Sequence, residues 1–136
     1  MDYLLDTSTL SFLLKGSRPV HQRFKAALYA GDIYASVISE GELLYGALRL
    51  GRERRRELLD EISLLLSDLA GLIPVSREVA FRYGEIMRDV TAEGRMLGLN
   101  DAWIGATAKS AGLALATSDR GFGHIRGLVV EDWLAP

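Results

Sequence analysis

Residues 3–11 read Tyr3-Leu4-Leu5-Asp6-Thr7-Ser8-Thr9-Leu10-Ser11, and the fold turns on them. Three apolar residues halt at an acid, as a buried strand does where it leaves a sheet. Hydroxyl residues then open a helical pattern, and an Asp before such a pattern is a favoured helix cap. A strand that ends in a carboxylate and turns at once into a helix is the repeating unit of an α/β protein.

Outward from this point the alternation continues. Residues 7–15 and 18–30 read as helices, parted by Gly16 and Pro19 and closed by Gly31. Ile33-Tyr34-Ala35 is a short strand, and 37–50 is helical up to Gly51. Leu58, Leu59, Ile62, Leu65, Leu66 and Leu69 recur at three- and four-residue spacing, which predicts an amphipathic helix over 53–69. Residues 72–75 follow Gly71 and read as extended. Ser76 then caps a helix whose inner face is Val79, Tyr83, Ile86, Met87 and Val90. Asn100 is the expected cap of a helix over 101–111, ended by Gly112. Residues 113–117 and 128–130 are the last two strands. The pattern predicts one α/β domain over residues 1–136, a short parallel sheet with helices on both faces. In such sheets ligands gather at the carboxyl ends of the strands, where Asp6 and Asp119 fall.

Four acids stand at strand ends or helix starts: Asp6, Glu42, Asp101 and Asp119. Each has a structural explanation. Asp6 serves as a cap, Ser39 and Glu42 match an S-x-x-E capping box, Asp101 suits the first turn of a helix, and Asp119 suits an Asx-turn. Brought together, four carboxylates repel one another unless a cation neutralises them, which points to a hard divalent metal and metal-assisted hydrolysis. Gly46 and Gly105 follow Glu42 and Asp101 by four residues, on the same helix face, leaving room beside each carboxylate. Close helix packing is the other explanation for such glycines, which cost a helix about 0.5–1 kcal/mol relative to Ala. Glu40 points about 200° away from Glu42 on a helix and is expected in solvent.

Composition narrows the chemistry. The chain has no cysteine, so disulfides, thiolate metal sites and a Cys nucleophile are excluded, and a reducing cytoplasm fits. No apolar run approaches the roughly 18 residues of a membrane-spanning helix, and no secretory signal pattern is expected at the N-terminus. The net charge of -2 does not itself predict a nucleic-acid partner, but its distribution is uneven. Arg49, Arg52, Arg54, Arg55 and Arg56 form one basic run; Lys15, Arg18, His21, Arg23 and Lys25 form another. Both suit phosphate contact as well as a solvated helix face. Tyr29 and Tyr45 are candidate base-stacking rings. His21 and His124 have no carboxylate neighbour in sequence that would organise a catalytic pair, and Trp103 and Trp133 suit a core or a dimer interface.

The segments Leu5-Asp6-Thr7-Ser8, Glu42-Leu43-Leu44-Tyr45-Gly46, residues 100–108 (NDAWIGATA) and Thr117-Ser118-Asp119-Arg120-Gly121-Phe122 together resemble the PIN-domain nucleases. More narrowly they resemble the VapC toxins of prokaryotic type II toxin–antitoxin pairs, and the tail from Ile125 to Trp133 fits as well. The resemblance implies a PIN-like, Rossmann-like fold and a Mg²⁺- or Mn²⁺-dependent endoribonuclease. It makes Asp6, Glu42, Asp101 and Asp119 catalytic, with Asp6, Asp101 and Asp119 as metal ligands and Glu42 as a ligand or the group orienting the attacking water. Thr7 and Thr117 would support the carboxylates. Arg18, Arg23, Arg49 and Arg52 are candidate RNA contacts. A cognate antitoxin, docking as a small helical peptide in a groove between helices, and a homodimer are also implied. Three departures stand out: Ser8 where Asn is frequent, Gly105 where Ala is frequent, and one residue fewer between Asp119 and Phe122. They keep open a catalytically silent PIN-like module that only binds a partner. A small metal-dependent phosphatase is the other rival, although that chemistry wants an Asp where Ser8 stands.

Overall fold

The computed structural model describes all 136 residues. In chain order the elements are β1 (Tyr3–Leu5), α1 (Thr7–Leu14), α2 (Arg18–Ala30), β2 (Ile33–Ser36), α3 (Val37–Leu48) and α4 (Arg52–Ser67). They continue with β3 (Gly71–Ile73), α5 (Arg77–Ala92), α6 (Leu99–Ala111), β4 (Ala114–Ala116), a 3-10 turn (Arg120–His124) and β5 (Val130–Glu131). Every strand pairing is parallel, in the order β3-β2-β1-β4-β5. No helix is long and apolar enough to cross a membrane.

The central strand sends alternate side chains to opposite faces, as the two-residue strand period requires. Tyr3 and Leu5 join a cluster with Leu10, Leu13, Phe24, Leu43 and Ile62, contributed by α1 to α4. Leu4 joins Val79, Ile86, Ile104 and Phe122 on the other side, under α5 and α6. Leu4 and Leu5 are completely buried. Each contributes about 1.5–3 kcal/mol through the apolar surface it removes from water.

The topology fixes where a ligand can sit. From β1 the chain builds outward through β2 to β3, then crosses back to place β4 on the other side of β1. The strand order reverses at the β1–β4 pair, and the crevice beyond their carboxyl ends is the binding position in sheets of this kind. Leu5 pairs with Ala116 there, so the residues that follow, Asp6 and Thr117, emerge side by side.

Several boundaries differ from the sequence reading, each for a local reason. Helix α6 starts at Leu99 with Gly98 as its cap, so Asn100 lies inside the first turn rather than capping it. The last strand is Val130–Glu131, not 128–130: the chain turns at Gly127, whose φ is positive, and the first bond from β4 to this segment runs from Leu115 N–H to Val129 O. Strand β4 pairs over Ala114–Ala116 alone. The capping box at Ser39 and Glu42 is not formed: Ser36 caps α3, and Ser39 is already its third helical residue, fully buried.

Candidate active site

Asp6, Glu42, Asp101 and Asp119, from four separated segments, line one cavity of about 400 Å³ with Thr7, Ser8, Ser11, Phe12 and Lys15. Asp6 is the anchored member. At 3% exposure it caps α1, and its Oδ1 accepts the backbone N–H of Thr9 at 2.8 Å. The Ser8 hydroxyl lies 3.0–3.1 Å from both carboxylate oxygens, and the Thr117 hydroxyl donates to Oδ2. Three donor groups occupy most of the roughly four acceptor sites of a carboxylate and leave about one for another partner. The capping role and the site role are therefore compatible for Asp6.

Thr117 also accepts the backbone N–H of Asp119 at 3.0 Å, so one hydroxyl links two of the acids. The Asp119 side chain accepts from Gly121 N–H at 2.9 Å, which is the Asx-turn its sequence suggested, and it still faces the cavity. On the opposite wall the Thr7 hydroxyl donates to Glu42 Oε1 at 2.6 Å. Thr7 has only one proton, so Ser39, 2.9 Å away, is left as the donor in the Thr7–Ser39 pair. Glu42 is thus held by a neighbouring helix and not by its own helix end.

Asp101 differs from the others. Burial, and then the charges of Asp119, Glu42 and Asp6, push its carboxyl up to about 6 from an ordinary 3.8. No hydrogen bond offsets that push. Its position in the first turn of α6 favours a negative charge, yet crowding by like charges prevails. The donor set is all oxygen and mostly carboxylate, which suits Mg²⁺ or Mn²⁺ and not zinc. As placed, no three of these side chains close around a single point.

The two glycines behave differently. A Cβ on Gly105 would lie 2.7 Å from Ile125 Cδ1, so Gly105 serves the packing of α6 against the 3-10 turn and opens no space beside Asp101. Gly46 has nothing within 4 Å and helps line a second groove, shared with Glu42.

The arginines separate as well. Arg49 and Arg54 line that groove, with Arg49 lying 5.5 Å from the centre of the Tyr45 ring. Arg18 and Arg52 are exposed and border neither the cavity nor the groove. Arg23 is tied to Glu131 at 3.1 Å and to the Ala135 carbonyl, at the β5 edge of the sheet. His21 Nε2 lies 3.0 Å from the Leu13 carbonyl, and neither His21 nor His124 borders the cavity. Trp133 is buried against Tyr3, and Trp103 stacks on Tyr83 at 3.9 Å; both serve packing. Sequence reasoning overlooked Ser8, Ser11, Phe12 and Lys15 as cavity walls. Their spacing of three, four and seven residues on a helix opened by Asp6 is the signal that groups them on one face.

A family model described as PIN domain matches residues 3–128. Ribonuclease VapC1 of Haemophilus influenzae strain R2866 is 30% identical, covering 98% of each chain. The tRNA(fMet)-specific endonuclease VapC of Shigella flexneri is 28% identical over 98% of each chain. Among solved structures, VapBC2 from Rickettsia felis bound to a promoter DNA fragment superposes with a TM-score of 0.90. It is 25% identical, with 98% of this chain and 99% of that one covered.

Proposed function

Because the chain belongs to the PIN-domain family and to the VapC ribonuclease toxins within it, we propose that it hydrolyses RNA phosphodiester bonds at the Asp6–Glu42–Asp101–Asp119 cavity with Mg²⁺ or Mn²⁺. The observation that carries this reading is the convergence of those four carboxylates at the strand-order reversal.

Asp6, Asp101 and Asp119 would hold the cation; when bound, it supplies Lewis-acid polarisation of the phosphate and a water acidic enough to attack near neutral pH. The protein's own groups do the positioning. Ser8, Thr9 and Thr117 fix the Asp6 carboxylate in the cavity wall. Thr7 holds one oxygen of Glu42 and leaves the other to orient the attacking water or take its proton. Arg49 is the sequence-predicted arginine best placed for RNA, since it lines the adjoining groove.

Partners follow from the family. A cognate antitoxin would cover the cavity; a toxin-antitoxin complex from Klebsiella pneumoniae is among the similar solved structures and supports a partner of this kind. Its expected form is a helical segment laid in a groove between helices. The single domain would work as a homodimer in the cytoplasm, where its RNA substrate lies.

The test is cleavage of end-labelled structured RNAs, tRNA included, in Mg²⁺ or Mn²⁺ against EDTA. Wild type is run beside Asp6→Asn, Asp101→Asn and Glu42→Gln. Expected is cleavage by wild type, with at least a hundredfold loss in EDTA and in both Asp variants. Asp101→Asn is the cleaner variant, because it relieves repulsion and breaks no hydrogen bond. Cleavage persisting in Asp6→Asn and Asp101→Asn rejects the site. No cleavage and no metal binding by wild type favours a module that only binds a partner.

A further inference from the structure

We propose that Lys15 is a substrate-binding residue: it holds a phosphate of the RNA strand where that strand leaves the carboxylate cavity for the groove of Arg49 and Arg54. This rests on the RNA-hydrolase reading above.

Lys15 is the one cation among the nine residues lining the catalytic cavity, and it also lines the adjoining groove of about 460 Å³. Thr7, Ser11 and Glu42 are shared by both as well, so the two spaces adjoin along these side chains. Beyond Lys15 the groove carries Arg49 and Arg54 above a floor that includes Leu43 and Ile62. Glu42 and Glu61 line the same groove, where the three cations outnumber them. A polyanion entering a site lined by four carboxylates needs positive charge at its margin as well as a metal at its centre.

Two features suit Lys15 to this task. Its ammonium forms no ion pair within 4 Å; the five ion pairs of the chain are all made by arginines elsewhere. Its backbone, in contrast, is tightly held. Lys15 ends α1, Gly16 follows at a φ of +80°, Gly16 N–H donates to Leu13 O at 3.1 Å, and Ser17 N–H donates to Phe12 O at 2.9 Å. That paired closure is the Schellman arrangement, and Gly at its left-handed position allows it without strain. An immobile root with a free, flexible ammonium is how a lysine serves as a point-charge phosphate ligand. The simpler explanation, a cation favouring the end of a helix dipole, accounts for a lysine here but not for its place on the cavity wall.

The experiment measures RNA binding apart from cleavage. Asp101→Asn and Asp101→Asn/Lys15→Ala are titrated with a fluorescent single-stranded oligoribonucleotide in EDTA, over a series of KCl concentrations. Wild-type and Lys15→Ala cleavage rates in Mn²⁺ are measured alongside. Expected is a rise in Kd of about fivefold to tenfold for Lys15→Ala at low salt. The slope of log affinity against log salt should shrink by about 0.7, the value for one phosphate contact on a single strand. In cleavage the loss should fall mainly on KM, and Lys15→Arg should restore the slope. If wild type cleaves while affinity and slope are unchanged by Lys15→Ala, the assignment of Lys15 is wrong and the groove is left to a protein partner. If Lys15→Ala instead lowers melting temperature in EDTA and leaves the slope intact, Lys15 is an internal counter-ion and the proposal also fails. If wild type neither cleaves nor binds RNA, the hydrolase reading and the role of Lys15 fall together.

Discussion

The Thr117 hydroxyl, at the end of β4, donates to Asp6, which ends β1, and thereby ties the two strands on which the carboxylate crevice opens. Both residues are buried, at 1% and 3% exposure. Replacing Thr117 with Val keeps the shape but removes both the donor to Asp6 and the acceptor of the Asp119 N–H. The expected cost is about 1–3 kcal/mol of stability. Metal affinity or cleavage should fall by about tenfold to a hundredfold, as for other groups that orient a metal ligand. Thr117→Ser should recover most of both. Urea denaturation and Mn²⁺ titration of the three proteins check this; equal metal affinity in all three would remove the positioning role.

Asp101 sets a pH dependence whose sign can be worked out. Burial and three neighbouring acids raise its carboxyl from 3.8 to about 6 in the folded state. A raised folded value means the native state binds the proton more tightly than the unfolded chain, so this group's contribution is fully present below about 3.8 and is lost as pH rises through about 6. In EDTA, the melting temperature of wild type minus that of Asp101→Asn should therefore become more negative between pH 4 and 6 and level off above. Mn²⁺ should reverse the deficit at pH 7. Mn²⁺ affinity should fall as pH drops through about 6, because the cation must then displace the proton that the metal-free Asp101 holds. A difference curve that is flat from pH 4 to 7 would contradict the crowding.

How much of this was legible in the residues depends on the range of the interaction. Tyr3-Leu4-Leu5 stopping at Asp6, the leucine spacing of α4 and the inner face of α5 are local patterns, and each element formed within a few residues of its expected limits. The four acids could be named because they share one local grammar, a carboxylate at a strand end or helix start. Ser39 and Lys15 could not be placed that way. Ser39 looks like a cap in sequence, yet it is buried against Thr7 from 32 positions away. Lys15 reads as one member of a basic run; its spacing from Ser8 and Ser11 sets its helix face, but the approach of α3 and α4 is what makes that face the wall of a groove. Arg23 sits in the same run and is tied to Glu131, 108 positions distant. Charge runs state that cations are near one another, not which of them face the same space.

Glu131 allows stability to be separated from activity. It accepts from Tyr3 Oη at 2.8 Å, Trp133 Nε1 at 3.0 Å and Arg23 Nη1 at 3.1 Å, joining α2, β1, β5 and the C-terminal tail outside the carboxylate cavity. Glu131→Ala leaves three donors without their acceptor and should cost about 2–3 kcal/mol. Burial and then the Glu131 contact hold the Tyr3 phenol above its ordinary value, so the substitution should also bring its ionisation down. Cleavage per folded molecule should be unchanged at 25 °C. Denaturant unfolding, ultraviolet titration of tyrosine and a cleavage assay measure the three quantities. A loss of kcat larger than the folded fraction explains would mean that this edge communicates with the site.

Gly105 is the sharpest test of packing under α6. An added Cβ would meet Ile125 Cδ1 at 2.7 Å, while Phe122 and Ile86 stand at 3.7 and 3.8 Å, an ordinary contact distance. The collision is therefore with one methyl group at the end of a flexible side chain. Overpacking of this sort costs about 1–3 kcal/mol, and the better helix propensity of Ala returns about 1 kcal/mol, so Gly105→Ala should be destabilised by about 0–2 kcal/mol. Ile125→Val deletes that methyl and nothing else, and alone it should cost about 0.5–1.5 kcal/mol. The double variant should be more stable than the sum of the two costs predicts, since the new methyl fills the space that the lost one vacates. Asp101 lies one helical turn before Gly105, so cleavage should fall in Gly105→Ala and recover in the double variant if the collision is relieved by tilting α6. Additive unfolding energies across the cycle would show that the side chain of Ile125 simply rotates away, and would leave Gly105 without a packing role.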